Sequence, residues 1–280
     1  MLVSSKELFK KARKRKFAIP APNFTDQNSI KAYVEVAEKL DLPVILAYAE
    51  VHKEYLSFEE ALMLGKYYGE KANIPAVLHL DHGTTKDLIF KAIDQGFKSV
   101  MIDASMESFD KNVEKTKEIV EYAHLRGVVV EAEIGHVGGG EEYNSKDDSD
   151  SIYTTVEDAN RFIQATNVDS LAISIGTAHG AYKGEPVIDF NRLKEISKAV
   201  ETPLVLHGGS SSGDENLEKC ALEGINKINI YTDLVTAAYD EVQKVKTNDY
   251  YELRNAQING MKKCLEHYYG VFHTSKFKNQ

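Results

Sequence analysis

A chain of 280 residues with 42% hydrophobic side chains can bury one large core, and no apolar run in it approaches the roughly 20 residues that a membrane span requires. The formal net charge of −9 argues against nonspecific binding to nucleic acid. Two cysteines without CxxC spacing, and an opening stretch Met1-Leu2-Val3-Ser4-Ser5-Lys6 without the apolar centre of a signal peptide, lead us to expect a soluble cytoplasmic protein that does not engage a membrane.

The first feature along the chain is a basic cluster, Lys10, Lys11, Arg13, Lys14, Arg15 and Lys16, which reads as the solvated face of a short helix. From there on, short apolar runs alternate with helix-length amphipathic stretches, the pattern of parallel strands joined by helices. Strands are expected near 17–20, 43–49, 76–81, 99–103, 128–133, 170–175, 204–207 and 227–230. Helical spacing of apolar residues covers 30–40, 58–72, 88–95, 113–126 and 156–166. Eight such β-α units predict a single domain over residues 1–280, a TIM (β/α)8 barrel, with an extra C-terminal helix near 250–269.

Barrel enzymes carry their chemistry at the C-terminal ends of the strands. Asn23, Asp81, His82, Asp103, Glu133, His179, His207 and Asn229 all fall at or just past an expected strand end. Three of the apolar runs close on histidine and glycine: Val77-Leu78-His79-Leu80-Asp81-His82-Gly83, the run ending Ala178-His179-Gly180, and Leu206-His207-Gly208. Neutral imidazoles without a thiolate suit zinc or a similar divalent metal, and three protein ligands leave a position open, so His82, His179 and His207 are the expected metal ligands. His79 is assigned by alternation to the barrel interior. Asp81, beside a ligand, is placed as general acid or base. Glu133 is a candidate alternate metal ligand, and Glu141, on the glycine-rich stretch Gly138-Gly139-Gly140-Glu141-Glu142, is a candidate second acid or base. Asn23 and Asp103 are read as substrate contacts. His52, His124, His267 and His273 are read as structural or surface residues. Lys98 and Lys227 stand at the N-terminal side of their expected strands, which speaks against a Schiff-base lysine on the rim.

The loops after strands seven and eight of such a barrel commonly hold phosphate. Gly208-Gly209-Ser210-Ser211-Ser212-Gly213 supplies glycines whose missing Cβ lets backbone approach a ligand, and Asn229-Ile230-Tyr231-Thr232-Asp233 leads into a helix with Thr232 or Asp233 as N-cap. A small phosphorylated substrate is expected.

Over nearly its whole length the chain resembles the metal-dependent class II aldolases that cleave fructose or tagatose 1,6-bisphosphate. The resemblance rests on His79-Leu80-Asp81-His82, Ser99-Val100-Met101-Ile102-Asp103-Ala104-Ser105, Val130-Glu131-Ala132-Glu133-Ile134-Gly135, Gly176-Thr177-Ala178-His179-Gly180, Val205-Leu206-His207-Gly208-Gly209-Ser210 and Lys227-Ile228-Asn229-Ile230. It implies a zinc ion on His82, His179 and His207, with Asp81 transferring the proton of the C4 hydroxyl. Glu133 would be associated with the metal, and Glu141 would move the proton at the dihydroxyacetone phosphate carbon. Gly180, Gly208, Gly209, Ser210, Asn229, Ile230, Tyr231 and Thr232 would bind dihydroxyacetone phosphate, often with a monovalent cation, Na⁺ or K⁺. It implies small-molecule sugar phosphates as partners and a homodimer or homotetramer. Ala49 stands where many members carry a polar residue, and the C-terminal part lacks the Pro-Arg often found there. The alternatives are a relative acting on another phosphorylated ketose and a silent sugar-phosphate-binding protein.

Overall fold

The computed structural model describes residues 1–137, 153–180 and 186–278, so Glu141 and the glycine-rich stretch around it lie outside the described residues. Strands and helices alternate as α1 (Lys6–Arg15), β1 (Ile19–Pro22), α2 (Gln27–Leu40), β2 (Val44–Ala49), α3 (Phe58–Lys71), β3 (Ala76–Gly83), α4 (Lys86–Gln95), β4 (Ser99–Ile102) and α5 (Phe109–His124). They continue as β5 (Val129–Ile134), α6 (Val156–Thr166), β6 (Ser170–Ile173), α7 (Phe190–Ala199), β7 (Leu204–Leu206), α8 (Asp214–Glu223), β8 (Ile225–Ile230), α9 (Thr232–Lys244) and α10 (Tyr250–Val271). The eight strands form one parallel sheet in the order β1-β8-β7-β6-β5-β4-β3-β2, and a bridge between Asn23 and Ala47 brings its two edges together. The fold is the expected TIM barrel with a C-terminal helix.

The seam between β1 and β2 has a local cause. In β1 the Asn23 N–H points to Ile230 of β8 and the Phe24 N–H to Ala47 of β2, so alternation aims positions 20 and 22 at β2. Both are proline and have no N–H to give. The two edges are bridged just above the prolines, where the Phe24 N–H donates to the Ala47 carbonyl at 3.0 Å. Beside this seam runs α10, whose end accepts the Ala18 N–H on Phe272 O at 3.0 Å, while Thr274 Oγ1 donates to Ala18 O at 2.8 Å and Tyr269 OH to Pro43 O at 2.9 Å.

Helix α1 closes the bottom of the barrel. Leu8, Phe9, Ala12 and Phe17 pack against the inward Ile19, Ala21, Ile45 and Val77 in an apolar plug separate from the main core between strands and helices. Its basic face is less solvated than expected: Arg13 donates to Ser197 O and Val200 O at the end of α7, and Arg15 to Lys276 O and Phe277 O. Those carbonyls have no helical partner of their own, and guanidinium groups serve them. Among the described residues, no helix is long and apolar enough to cross a membrane.

Candidate active site

Regular alternation would send Asp81 and His82 to opposite faces of β3. Pairing with β4 runs through Leu80↔Val100 and resumes at Gly83↔Ile102, so β3 carries one extra residue there. His82 sits in the left-handed region with φ 48°, a conformation that costs about 1–3 kcal/mol and tends to persist at functional positions. The bulge lets both side chains reach one cavity.

His82, His179 and His207 converge on that cavity, with one nitrogen of each within 4.8 Å of the others. His82 Nε2 and His207 Nδ1 face one another at 2.9 Å. Their far nitrogens rest on carboxylates, His82 Nδ1 on Asp103 Oδ2 at 2.7 Å and His207 Nε2 on Glu131 Oε1 at 2.9 Å. A carboxylate behind each imidazole fixes ring and tautomer, as metal-ligating histidines require. Asp103, expected to touch substrate, thus has one oxygen on His82 and the other on Ser105 Oγ at 2.8 Å. Glu133 belongs to a second group with His82 and Asp103; its Oε2 is buried with no partner among the described residues. Burial opposes a charged His82, but Asp81, the bond from Asp103 and Glu133 outweigh it and raise the imidazole to about 9. Burial and its two histidine neighbours push His179 down to about 3. The donor set and the orphaned Glu133 oxygen fit a divalent transition metal.

Asp81 is 2% exposed. Asn23 Nδ2 donates to its Oδ2 and Asn229 Nδ2 to its Oδ1, each at 2.8 Å, so two amides, one just past β1 and one on β8, hold one oxygen each. Burial alone would raise its pKa; His82, Lys227, His207 and His79 overcome that and hold it well below the usual carboxylate range. Asp81 is therefore an ionised base with a fixed direction.

A polar layer lies beneath. Lys227 is inside β8 rather than at its start, fully buried, with Nζ 2.8 Å from both oxygens of Glu131 and 3.1 Å from His79 Nε2. His79 Nδ1 meets Ser99 Oγ at 2.8 Å. Sequence reasoning missed both the Lys227–Glu131 pair and the Asn23–Asp81–Asn229 clamp, because each joins strands far apart in the chain. Alternation from Asn229 to Lys227 was the available signal for the lysine.

The expected phosphate turns lie together at the cavity wall. The Ser210 hydroxyl accepts from Tyr231 N–H at 3.1 Å and Asp233 N–H at 3.3 Å. Ser210 so serves the start of α9, whose N-cap is Tyr231 rather than Thr232 or Asp233. Gly208 has φ 66°, and a Cβ there would lie 2.3 Å from the Ala178 carbonyl oxygen; backbone packing against the segment after β6 already demands glycine, whatever a ligand adds. Gly180 has φ 83°, and a Cβ added there would meet no described atom within 4 Å. Gly208→Ala is therefore expected to lower the thermal midpoint far more than Gly180→Ala, which bears only the backbone cost of about 1–3 kcal/mol. Equal midpoints for the two variants would disprove the packing argument.

The cavity has a volume of about 680 Å³. His136 lines it, and so does His52, which was expected to be structural or at the surface; the His52 ring packs against Tyr231, tilted by 38° with centroids 4.3 Å apart.

A family model described as fructose-bisphosphate aldolase class-II matches residues 3–276. The YdjI aldolase from Escherichia coli K12 is similar at 31% identity over 98% of each chain, with a TM-score of 0.89. Fructose-bisphosphate aldolase from Campylobacter jejuni is similar at 25% identity over 98% of this chain and 96% of that one, with a TM-score of 0.84.

Proposed function

The chain belongs to the class-II fructose-bisphosphate aldolase family, and from that premise we propose that it reversibly cleaves a ketose 1,6-bisphosphate, of fructose or tagatose, to dihydroxyacetone phosphate and glyceraldehyde 3-phosphate. The observation that carries this reading is an ionised, doubly clamped Asp81 beside three convergent imidazoles in one cavity.

His82, His179 and His207 would hold a zinc ion, with Glu133 as an associated carboxylate. When bound, the metal supplies Lewis-acid polarisation of a carbonyl oxygen and electrostatic stabilisation of the negative charge that develops there. Asp81 accepts the C4 hydroxyl proton as the C3–C4 bond breaks; the electron pair of that bond stays on C3, and the C4 fragment leaves as the aldehyde. Asn23 and Asn229 keep the accepting carboxylate in line and reduce its freedom to turn away. Protonation of C3 completes dihydroxyacetone phosphate, a role proposed for Glu141. Gly180, Gly208 to Ser210 and the turn from Asn229 to Thr232 would receive its phosphate, with a monovalent cation beside it. Cys220 and Cys264, both free thiols, suit a reducing cytoplasm.

Chelation is expected to abolish cleavage and zinc to restore it, and His82→Ala, His179→Ala and His207→Ala should each weaken metal retention. Because His82 holds its proton up to about 9, metal uptake at neutral pH should release a proton into a weakly buffered solution. Full activity in protein verified to be metal-free would exclude the reading.

A further inference from the structure

We propose that the turn after β2 is the specificity determinant for the aldehyde half of the substrate, with Lys53 pairing an anionic group at its far end and His52 hydrogen-bonding to a hydroxyl nearer the cleaved bond. This rests on the aldol reading above. The histidine set, Asp81 and the glycine turns account for the carbonyl, the C4 hydroxyl and the C1 phosphate. What remains of the cavity wall on the β2 side is Glu50, Val51, His52 and Lys53, together with Thr84 at the end of β3.

The turn is held on both of its flanks. Glu50 Oε2 accepts from Thr84 N–H at 2.9 Å and Thr84 Oγ1 at 3.0 Å, tying it to β3. His52 packs against Tyr231 on the other flank, after β8. A turn held in this way is a preorganised wall, so a ligand contact there need not first order the chain.

The two side chains offer different chemistry. Burial lowers the His52 pKa, and its Nδ1 is enclosed without a partner among the described residues. A neutral imidazole has one N–H to donate and one nitrogen to accept, so it suits a hydroxyl rather than serving as a countercharge. Lys53 is the only lysine or arginine among the described residues that line the cavity, and no described carboxylate lies within ion-pair distance of it. The carboxylates of the same wall are committed: Glu50 to Thr84, Asp81 to two asparagines, Asp103 to His82. A second anion entering a cavity that already holds an ionised Asp81 needs a cation, and among the described lining residues Lys53 is the one that can supply it; phosphate and carboxylate share the chemistry it would recognise.

The test uses the zinc-loaded full chain and two ketoses that share the C1 phosphate and the bond to be cleaved: fructose or tagatose 1,6-bisphosphate, whichever reacts faster, and the corresponding 1-phosphate. Lys53→Met is expected to raise KM for the bisphosphate by about tenfold, the scale of one charge-assisted bond, with KM for the 1-phosphate within about twofold. Lys53→Arg should recover most of the loss. His52→Phe, which keeps a ring against Tyr231, should lower kcat/KM for both ketoses by about tenfold. Equal changes for both ketoses in Lys53→Met would assign the lysine to the C1 phosphate and overturn the proposal, as would no change in either. Deuterium uptake from solvent into dihydroxyacetone phosphate separates this from the parent reading: a wild-type chain that exchanges and cleaves, with Lys53→Met failing to discriminate, sinks only the present inference. Absence of both exchange and cleavage in the wild type sinks the two together.

Discussion

Asp81→Ala is expected to lower ketose bisphosphate cleavage by about 100-fold or more, the usual scale for removing a general acid or base, with metal content unchanged. The carboxylate is ionised because four basic groups overcome its burial, and it is aimed because Asn23 and Asn229 each hold one oxygen. Alanine removes the proposed acceptor of the C4 hydroxyl proton, while His82 and His207 keep their carboxylate supports, Asp103 and Glu131. The same variant should still exchange the carbon-bound proton of dihydroxyacetone phosphate, since that step needs no C4 hydroxyl. Glu141→Ala should show the converse, losing exchange. Loss of exchange in Asp81→Ala with its retention in Glu141→Ala would reverse the two assignments.

The second large effect is on folding. Lys227→Met is expected to destabilise the protein by about 3–5 kcal/mol, because removing one partner of a buried ion pair strands the other charge. Glu131 is 1% exposed, and its carboxylate meets Lys227 and His207. Burial opposes its ionisation, but Lys227, His207 and His79 bring its pKa down to about 2. A depressed carboxylate contributes stability above its unfolded pKa of about 4.3 and loses that contribution as pH falls toward its folded value. The variant should therefore flatten the acid limb of the stability profile between about pH 4.3 and pH 2, as well as lower the urea midpoint. Pairing it with Glu131→Leu should recover a large part of the loss, at the expense of the support behind His207. A single variant with an unaltered midpoint would show that the pair contributes little.

How far the sequence could be read follows from what each signal depends on. The apolar runs 43–49 and 76–81 located β2 and β3 because outward residues of a barrel strand pack under helices and inward ones also avoid water. The first strand begins two residues later than its apolar run: Phe17 belongs to the plug with α1, which periodicity cannot distinguish from a strand. The start of α2 at Gln27 escapes the apolar pattern because its signal is a reciprocal cap, with Asp26 accepting from Ser29 N–H, rather than an apolar stripe. At the site, the three histidines were legible as chemical types at strand ends. The bulge at His82, the two-amide clamp on Asp81 and the location of His52 were not, since register and long-range partners leave no mark in a local window. Glu141 remains an assignment by resemblance.

The two prolines of β1 have a consequence for the order in which the barrel is completed. A strand joined to its successor by a single bridge gains little by forming early, and its other neighbour, β8, lies about two hundred residues further along the chain. The carbonyl that meets the Ala18 N–H, on Phe272, emerges later still during synthesis. On the ribosome, β2 to β7 can zip in succession, while the first strand waits for the last strand and for α10 to clasp it. Asn23 sits just above that late strand and holds Asp81, so this carboxylate acquires its full clamp only when nearly the whole polypeptide has been made.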